Sequence, residues 1–192
     1  MTTIDQPVQP GTVARYWGTA STIRQIDLEG IARQGVLNRY RSGPEPFMTV
    51  PLEEVVVDAE ALRREFLADM NALSGRGVDG GTPGRDVTDV ALEAQVWRGG
   101  YERPMFAVPN DYLGWCFLEV VAPVEESAGT VAVFDPRAGS AMTAMPGLPW
   151  GRQTTITPVP GSLAVIPGWL TCSIVPVEKG EVIVVVAATS TR

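Results

Sequence analysis

The sequence predicts a mainly β protein, a sandwich or barrel of short strands. The second half of the chain carries short apolar runs at 113–121, 131–137, 160–173 and 181–188, and Pro and Gly residues separate them. Short strands divided by such turn residues are typical of this fold class. Only 58–73 shows a clear helical periodicity. A hydrophobic content of 45% with 19% charged residues fits a folded chain.

The N-terminal part carries weaker signals. Residues 1–12 are polar and contain prolines, so we expect a flexible start. Residues 13–18 are expected to form a first strand or an arm across the sheet. Asp27 is a candidate cap for a short helix that ends near Gln34, although Gly30 weakens it. Two Pro-containing dipeptides predict a loop over 38–51.

The predicted helix at 58–73 has a defined start and one apolar face. Asp58 is a good N-cap, and the helix dipole favours Glu60 in the first turn. The apolar residues recur at spacings of four, four and three: Leu62, Phe66, Met70 and Leu73. This helix is expected to pack on the outside of the sheet. The glycine-rich stretch 74–86 that follows is either a plain connection or a mobile lid.

The length of 192 residues indicates one domain. We expect it to span 13–192, with an N-terminal helical part over 27–73 and a barrel core over 89–190. The apolar strand runs all lie in the second part, so any site built on the barrel should lie there.

Charge and composition exclude some classes of binding partner. The net charge of −7 and the sequence pI of about 4.6 argue against nucleic acid and against an anionic membrane surface. The start of the chain lacks an apolar signal segment, and the longest apolar run, 182–188, is too short to cross a bilayer. We therefore expect a cytoplasmic protein whose two cysteines are free thiols. A homodimer through a sheet edge is compatible with the sequence, but no feature specifies it.

Three phrases in the second half carry a family resemblance. They are Phe-Asp-Pro-Arg at 134–137, Pro-Val-Pro-Gly at 158–161 and Ile-Pro-Gly-Trp-Leu at 166–170. In these phrases the stretch resembles the bacterial 2-oxoglutarate/iron(II)-dependent oxygenases. The resemblance implies a cupin-like double-stranded β-helix, or jelly-roll, with one or two helices packed on the outside.

The residues that perform the family's chemistry are missing from the matching positions. Met105 and Ala107 stand where the first pair of iron ligands is expected, and Cys172 stands at the distal histidine. Val182 replaces the arginine that anchors oxoglutarate. The chain contains no histidine, whereas such an iron site needs two imidazoles and a carboxylate. We therefore expect no metal and no cofactor.

The resemblance also implies a cavity. If the family geometry holds, it is faced by Met105, Ala107, Cys172, Val182 and Val184. Such an apolar cavity suits a hydrophobic small molecule; alternatively, these side chains simply fill the barrel. Cys172 as a nucleophile would need a neighbouring base, so a buried inert thiol is the alternative.

Other residues are candidates for binding or catalysis around this cavity. Strand alternation places Trp115, Phe117 and Glu119 on one face, without telling which face is inward. An inward Glu119 would be a candidate general acid, and an outward one a solvated strand residue. Tyr101 and Tyr112 are expected to flank the entrance and donate hydrogen bonds to a carbonyl. The remaining candidates are Trp150, in a loop over the cavity mouth, and Trp169. For both of them and for Trp115, the alternative is a core or rim aromatic that binds no ligand.

Three functional hypotheses follow. The first is a metal- and cofactor-independent enzyme that cyclises or isomerises a hydrophobic small molecule, or performs a cycloaddition, in bacterial secondary-metabolite biosynthesis. Such a pocket would act by folding a flexible substrate into a reactive shape. The second is a non-catalytic pseudo-oxygenase that binds a small molecule or a partner protein. The third is an oxygenase with unorthodox ligands.

Overall fold

The chain folds into two antiparallel β-sheets and two helices. The computed structural model describes residues 11, 13–16, 19–75, 84–121, 127–134, 136 and 153–191. The larger sheet has seven strands, in the spatial order β1-β2-β9-β6-β11-β4-β3, and the smaller has four, in the order β5-β10-β7-β8. In chain order the strands are β1 Val13–Tyr16, β2 Thr19–Gln25, β3 Phe47–Val50, β4 Val90–Arg98, β5 Arg103–Phe106, β6 Tyr112–Val120, β7 Val131–Phe134, β8 Gln153–Ile156, β9 Ser162–Pro167, β10 Cys172–Ile174 and β11 Val182–Ser190.

Strands β4 to β11 form the predicted jelly-roll. Strands β4, β6, β9 and β11 lie next to one another in the large sheet, and β5, β7, β8 and β10 form the small one. The chain thus passes repeatedly between two antiparallel sheets, as in a double-stranded β-helix. Strands β1 and β2 extend the large sheet at one edge and β3 extends it at the other.

The main helix follows the sequence prediction closely. It runs as α2 over Ala59–Ser74, and the Asp58 side chain accepts a 2.8 Å hydrogen bond from the backbone N–H of Ala61. The four predicted stripe residues, Leu62 to Leu73, are at most 1% exposed. They pack on the outer face of the large sheet.

Two expectations for the N-terminal part were wrong. Residues 27–34 form turns instead of a helix, because Gly30 adopts a positive φ of 75° and Asp27 accepts a hydrogen bond from the N–H of Glu29. The expected loop over 38–51 contains the end of the short helix α1, Leu37–Tyr40, and the whole of β3. Strand β3 pairs with β4 in the large sheet, so tertiary pairing overrides the local turn signals.

The large sheet is buried on both faces. One apolar cluster lies between this sheet and α2, and it contains Val182, Val184 and Val186 of β11. The other lies between the two sheets, inside the jelly-roll, and contains Ile183 and Val185. Strands β4, β6, β9 and β11 therefore contribute alternate side chains to two different cores. No helix in the described part of the chain is long and apolar enough to cross a membrane.

Candidate functional site

The residues expected to replace the iron ligands do not face one cavity. Met105 is 69% exposed and Ala107 is also exposed, so both point away from the jelly-roll. Phe106, which lies between them, packs against the interior cluster and pairs with Cys172 on β10. The expectation that Met105, Ala107 and Cys172 share a cavity was therefore wrong, because β5 presents the opposite face.

Cys172 is a buried thiol in the packed interior. It is fully inaccessible, and its Sγ donates to the backbone carbonyl of Phe106 at 3.6 Å. Burial raises the pKa of Cys172 to about 12, although Arg103 acts in the opposite direction. The thiolate needed for nucleophilic attack or metal binding is therefore disfavoured. These properties match the inert-thiol alternative.

The two valines of β11 were also assigned to the wrong side. Val182 and Val184 are at most 2% exposed and pack in the cluster beneath α2. The interior positions of the strand are the odd-numbered ones, Ile183 and Val185. Since a strand alternates its side chains with a period of two, a shift of one residue exchanges the faces completely.

Glu119 was expected to lie on the same face as Trp115 and Phe117, but it does not. The pairing of β6 with β11 shifts between Val184 and Val185, so Phe117 lies opposite Val185 and Glu119 lies opposite Val184. This β-bulge turns Glu119 to the helix side. There its carboxylate accepts hydrogen bonds from the backbone N–H groups of Gly35 and of Leu37, the latter at 2.8 Å.

These positions do not fit an iron(II)/oxoglutarate centre. Met105 and Ala107 point outward, and Cys172 is a buried thiol. Val182 lies in the core between the large sheet and α2. Among the residues that the structure describes, no three His, Cys, Asp or Glu side chains are grouped as metal ligands. We therefore derive no step through iron or oxoglutarate.

A cleft opens at one end of the jelly-roll interior. Its volume is about 340 Å³, within the usual range for a small-molecule site. Strands β4, β5, β6, β10 and β11 line it. The apolar wall includes Phe106, Val108, Leu113, Trp115 and Ile174, and the polar lining includes Glu93, Gln95 and Arg103.

A second irregularity in strand pairing brings Arg103 into this cleft. Between β10 and β5 the register shifts, so that Cys172 pairs with Phe106 but Ile174 pairs with Arg103. Paired residues project on the same side of a sheet, and Ile174 belongs to the interior cluster. The guanidinium carbon of Arg103 lies 3.6 Å from the centre of the Phe106 ring, which is a cation–π contact.

The polar groups of β4 form a hydrogen-bonded chain that leads out of the core. The indole Nε1–H of Trp97 donates to Oε1 of Gln95 at 3.0 Å, and Nε2 of Gln95 donates to Oε1 of Glu93 at 2.5 Å. Trp97 is fully buried, Gln95 is 8% exposed and Glu93 is exposed. These two hydrogen bonds thus connect the buried Trp97 to the Glu93 carboxylate at the mouth of the cleft.

One predicted site residue lines this cleft, one lies near its charged residues and one is buried behind it. Trp115 lines the cleft. Tyr101 stacks on Phe47 with ring centres 5.0 Å apart. Burial raises the pKa of the Tyr101 hydroxyl; the charge of Arg103 lowers this pKa and the charge of Glu93 raises it further. Tyr101 therefore lies within electrostatic reach of both charged cleft residues. Phe117 is fully buried and contacts the Trp97 ring edge-on.

Tyr112 and Trp169 line a different cavity, of about 480 Å³. Tyr112 is 5% exposed and packs on the helix side, where burial raises the pKa of its hydroxyl. Trp169 is half-exposed. Neither residue lines the cleft between the sheets. Trp150 and the Asp135 of the Phe-Asp-Pro-Arg phrase lie outside the described residues.

Sequence analysis missed the polar residues that line the cleft. Glu93, Gln95 and Trp97 recur with a period of two, and Leu92, Ala94 and Val96 occupy the opposite face. This alternation is visible in the sequence and signals polar side chains on one face of a strand. For Arg103 no sequence signal exists, because its position at the cleft depends on the register shift.

The cleft offers three chemical capabilities. Apolar walls can hold and fold a hydrophobic chain, as proximity effects require. Gln95 and Arg103 supply hydrogen-bond donors for a carbonyl or carboxylate oxygen. Glu93 supplies a carboxylate within the same space, which is the group needed to move a proton.

Comparison with known proteins supports the fold. No family model and no curated protein matches the sequence. A prolyl-4-hydroxylase from Pseudomonas putida is similar over 99% of both chains, with 13% identity and a TM-score of 0.57. An oxalate oxidase bound to the substrate analogue glycolate is 14% identical over 78% of this chain and 54% of its own, with a TM-score of 0.39. The cupin domain of Schizosaccharomyces pombe Cnp3 is 13% identical over 53% and 56%, with a TM-score of 0.32.

The last two likenesses are too distant to carry an argument. The first extends over the whole chain and supports the jelly-roll fold. At 13% identity it shows the fold alone. Function depends on the residues of the cleft and not on the fold.

Proposed function

We propose that the protein is a metal- and cofactor-independent enzyme that acts on a hydrophobic small molecule in the cleft between the sheets. The reaction class is isomerisation or cyclisation. One observation carries the proposal: a carboxylate, a carboxamide and a guanidinium line the same cleft as a group of apolar and aromatic side chains. The proposed setting is bacterial secondary-metabolite biosynthesis.

In this proposal the cleft residues divide the work. The walls formed by Phe106, Leu113 and Trp115 fold the substrate and exclude water, which lowers the entropic part of the barrier. Glu93 removes or returns a proton at carbon. Gln95 donates to the oxygen on which negative charge develops, with the positive charge of Arg103 in the same cleft, and such groups commonly supply the largest single contribution to catalysis.

Deuterium exchange tests the proton-transfer step with simple compounds of the expected substrate class. A panel of apolar ketones, apolar γ-keto acids, β-keto esters and polyene thioesters is incubated with the protein in D₂O. NMR then gives binding and deuterium incorporation for each compound. We expect accelerated exchange in at least one compound that binds. The Glu93→Gln variant should lose this exchange, whereas Glu102→Gln, at an exposed carboxylate outside the cleft lining, should retain it.

A second candidate function is a non-catalytic pseudo-oxygenase. The packing of Cys172 into the interior core favours it, because that position offers no reactive group. This candidate predicts stoichiometric binding of a small molecule or a partner protein, with no exchange and no turnover. Binding without exchange across the whole panel would overturn the enzymatic proposal in its favour.

A further inference from the structure

The orientation of the Gln95 carboxamide is fixed by its neighbour. An indole N–H only donates, so the Gln95 atom that faces Trp97 must be the carbonyl oxygen. The amide nitrogen then points along the chain of hydrogen bonds towards Glu93 and the cleft. One of its two N–H groups binds Glu93, and the other has no partner in the described part of the chain. Trp97 therefore makes Gln95 a donor towards a ligand.

Arg103 leaves its positive charge unpaired in the same cleft. No ion pair within 4.0 Å joins it to a carboxylate among the described residues, whereas Glu93 accepts a hydrogen bond from Gln95. The Phe106 ring holds one face of its guanidinium. The N–H groups at the edge of the guanidinium remain available, and their planar arrangement matches a carboxylate.

From these two observations we infer that the cleft recognises an apolar molecule with one carboxylate group. The carboxylate binds the guanidinium edge of Arg103, and the free N–H of Gln95 donates to an acceptor oxygen of the same ligand. The apolar body lies against Phe106, Leu113 and Trp115. Trp97 is a positioning residue that acts through Gln95. This inference rests on the proposed function, since it names the ligand class of the same cleft.

The site differs from the oxoglutarate site that the family resemblance implies. That resemblance assigns an anchoring arginine to the start of the last strand, where this chain has Val182 in the other core. Here the cation comes from β5 and the second donor from β4. Both reach the cleft through features of this chain, namely the register shift at Arg103 and the buried Trp97.

Three matched probes test the ligand class by NMR titration of the full chain. They are 3-phenylpropanoate, the neutral ketone 4-phenylbutan-2-one and the cation 3-phenylpropan-1-amine. We expect the carboxylate to bind best and to shift the side-chain N–H signals of Arg103, Gln95 and Trp97. Arg103→Gln should weaken carboxylate binding by about tenfold to a hundredfold, the usual effect of a lost hydrogen bond to a charged group. Arg85→Gln, at a cation outside this cleft, should change nothing.

Two variants test the role of Trp97. Trp97→Phe removes the indole N–H, so the Gln95 side chain is free to rotate. The NMR signals of the Gln95 amide should broaden or double, and binding of both the carboxylate and the ketone probe should weaken. Because Trp97 is fully buried, its loss also disturbs packing. Gln95→Met therefore serves as the second variant, since it removes the donor and keeps the size. It should reproduce the loss of affinity with the Trp97 signal still present.

The outcomes separate this inference from the proposed function. Amine binding as tight as carboxylate binding, no effect of Arg103→Gln, or no carboxylate binding up to its solubility limit would each overturn the inference. Selective carboxylate binding without deuterium exchange in any bound compound supports the inference while overturning the enzymatic proposal. Deuterium exchange without a preference for carboxylate binding supports the enzymatic proposal and overturns the inference.

Discussion

Phe117 and Glu119 lie two residues apart on one strand, yet they face opposite sides of the large sheet. The bulge between them leaves Phe117 inside the jelly-roll and sends Glu119 towards α1. A carboxylate that alternation alone would place beside Trp115 instead binds two backbone N–H groups of the N-terminal part. Its role in this position is to fix the turn before α1.

Replacing Glu119 should therefore affect stability and leave cleft binding unchanged. Glu119→Gln removes the negative charge from two hydrogen bonds, so we expect a loss of about 1–3 kcal/mol in the free energy of unfolding. Urea denaturation measures this loss, with Glu29→Gln as an exposed control whose side chain makes neither contact. A Glu119→Gln protein of unchanged stability that lost deuterium exchange would instead restore Glu119 as a catalytic group.

The two cysteines should be unreactive in the folded protein. Both are fully buried, and burial raises the pKa of each thiol to about 12. A chromogenic disulfide reagent at pH 8 should therefore react only after denaturation, since the thiolate is the attacking species. The matched control is Ala107→Cys, at an exposed position next to β5, which should react at once. Rapid reaction of the unmodified protein would contradict the burial of both thiols.

The same thiols should make stability fall at alkaline pH. Their pKa lies near 9.0 when they are unperturbed and near 12 in the fold, so the native state binds more protons between these values. The stabilising contribution is complete below pH 9 and is lost as the pH rises towards 12. Urea unfolding at a series of pH values measures the decline. The double variant Cys116→Ala/Cys172→Ala should decline less steeply, and an identical slope would contradict this assignment.

Asp69 should be the most sensitive charged residue under the large sheet. It is completely buried on α2, its carboxylate binds Nε of Arg24 at 3.0 Å, and it accepts the N–H of Gly11 at 2.7 Å. Asp69→Asn should lower stability by about 3 kcal/mol, because a buried charge loses its partner. Glu65→Gln should lower it by about 1 kcal/mol, since the Glu65–Arg24 pair is partly solvated. Equal losses in the two variants would argue against the burial of Asp69.

Gly168 should control the shape of the cleft rim. A Cβ at this position would lie 2.0 Å from the backbone oxygen of Asn110 and 2.9 Å from a Val108 methyl. Gly168→Ala should therefore displace the segment that carries Val108, a cleft residue, at a cost of about 1–3 kcal/mol. It should also weaken binding of 3-phenylpropanoate. Gly30→Ala tests backbone strain alone, because Gly30 has a positive φ and a Cβ added there would have no atom within 4 Å. This variant should leave probe binding unchanged.

The jelly-roll and the long helix were predictable because their signals are local. Apolar runs between Pro and Gly residues mark the strands, and Asp58 with its apolar stripe marks α2. The assignment of side chains to the cavity was not predictable in the same way. It depended on strand faces, and the central strands of the large sheet, β4, β6, β9 and β11, carry apolar side chains into a core on both faces. Val182 and Ile183 therefore look alike in sequence although they lie in different cores.

The sequence by itself determined the fold class, the helix and the absence of histidine from the chain, since each follows from residue type and short-range spacing. Only the tertiary structure decided which residues share the cleft. Two register shifts, one beside Glu119 and one beside Arg103, turn the first side chain to the helix side of the sheet and place the second one at the cleft. A bulge is set by pairing between strands that lie far apart in the chain, so strict alternation along one strand could not reveal it.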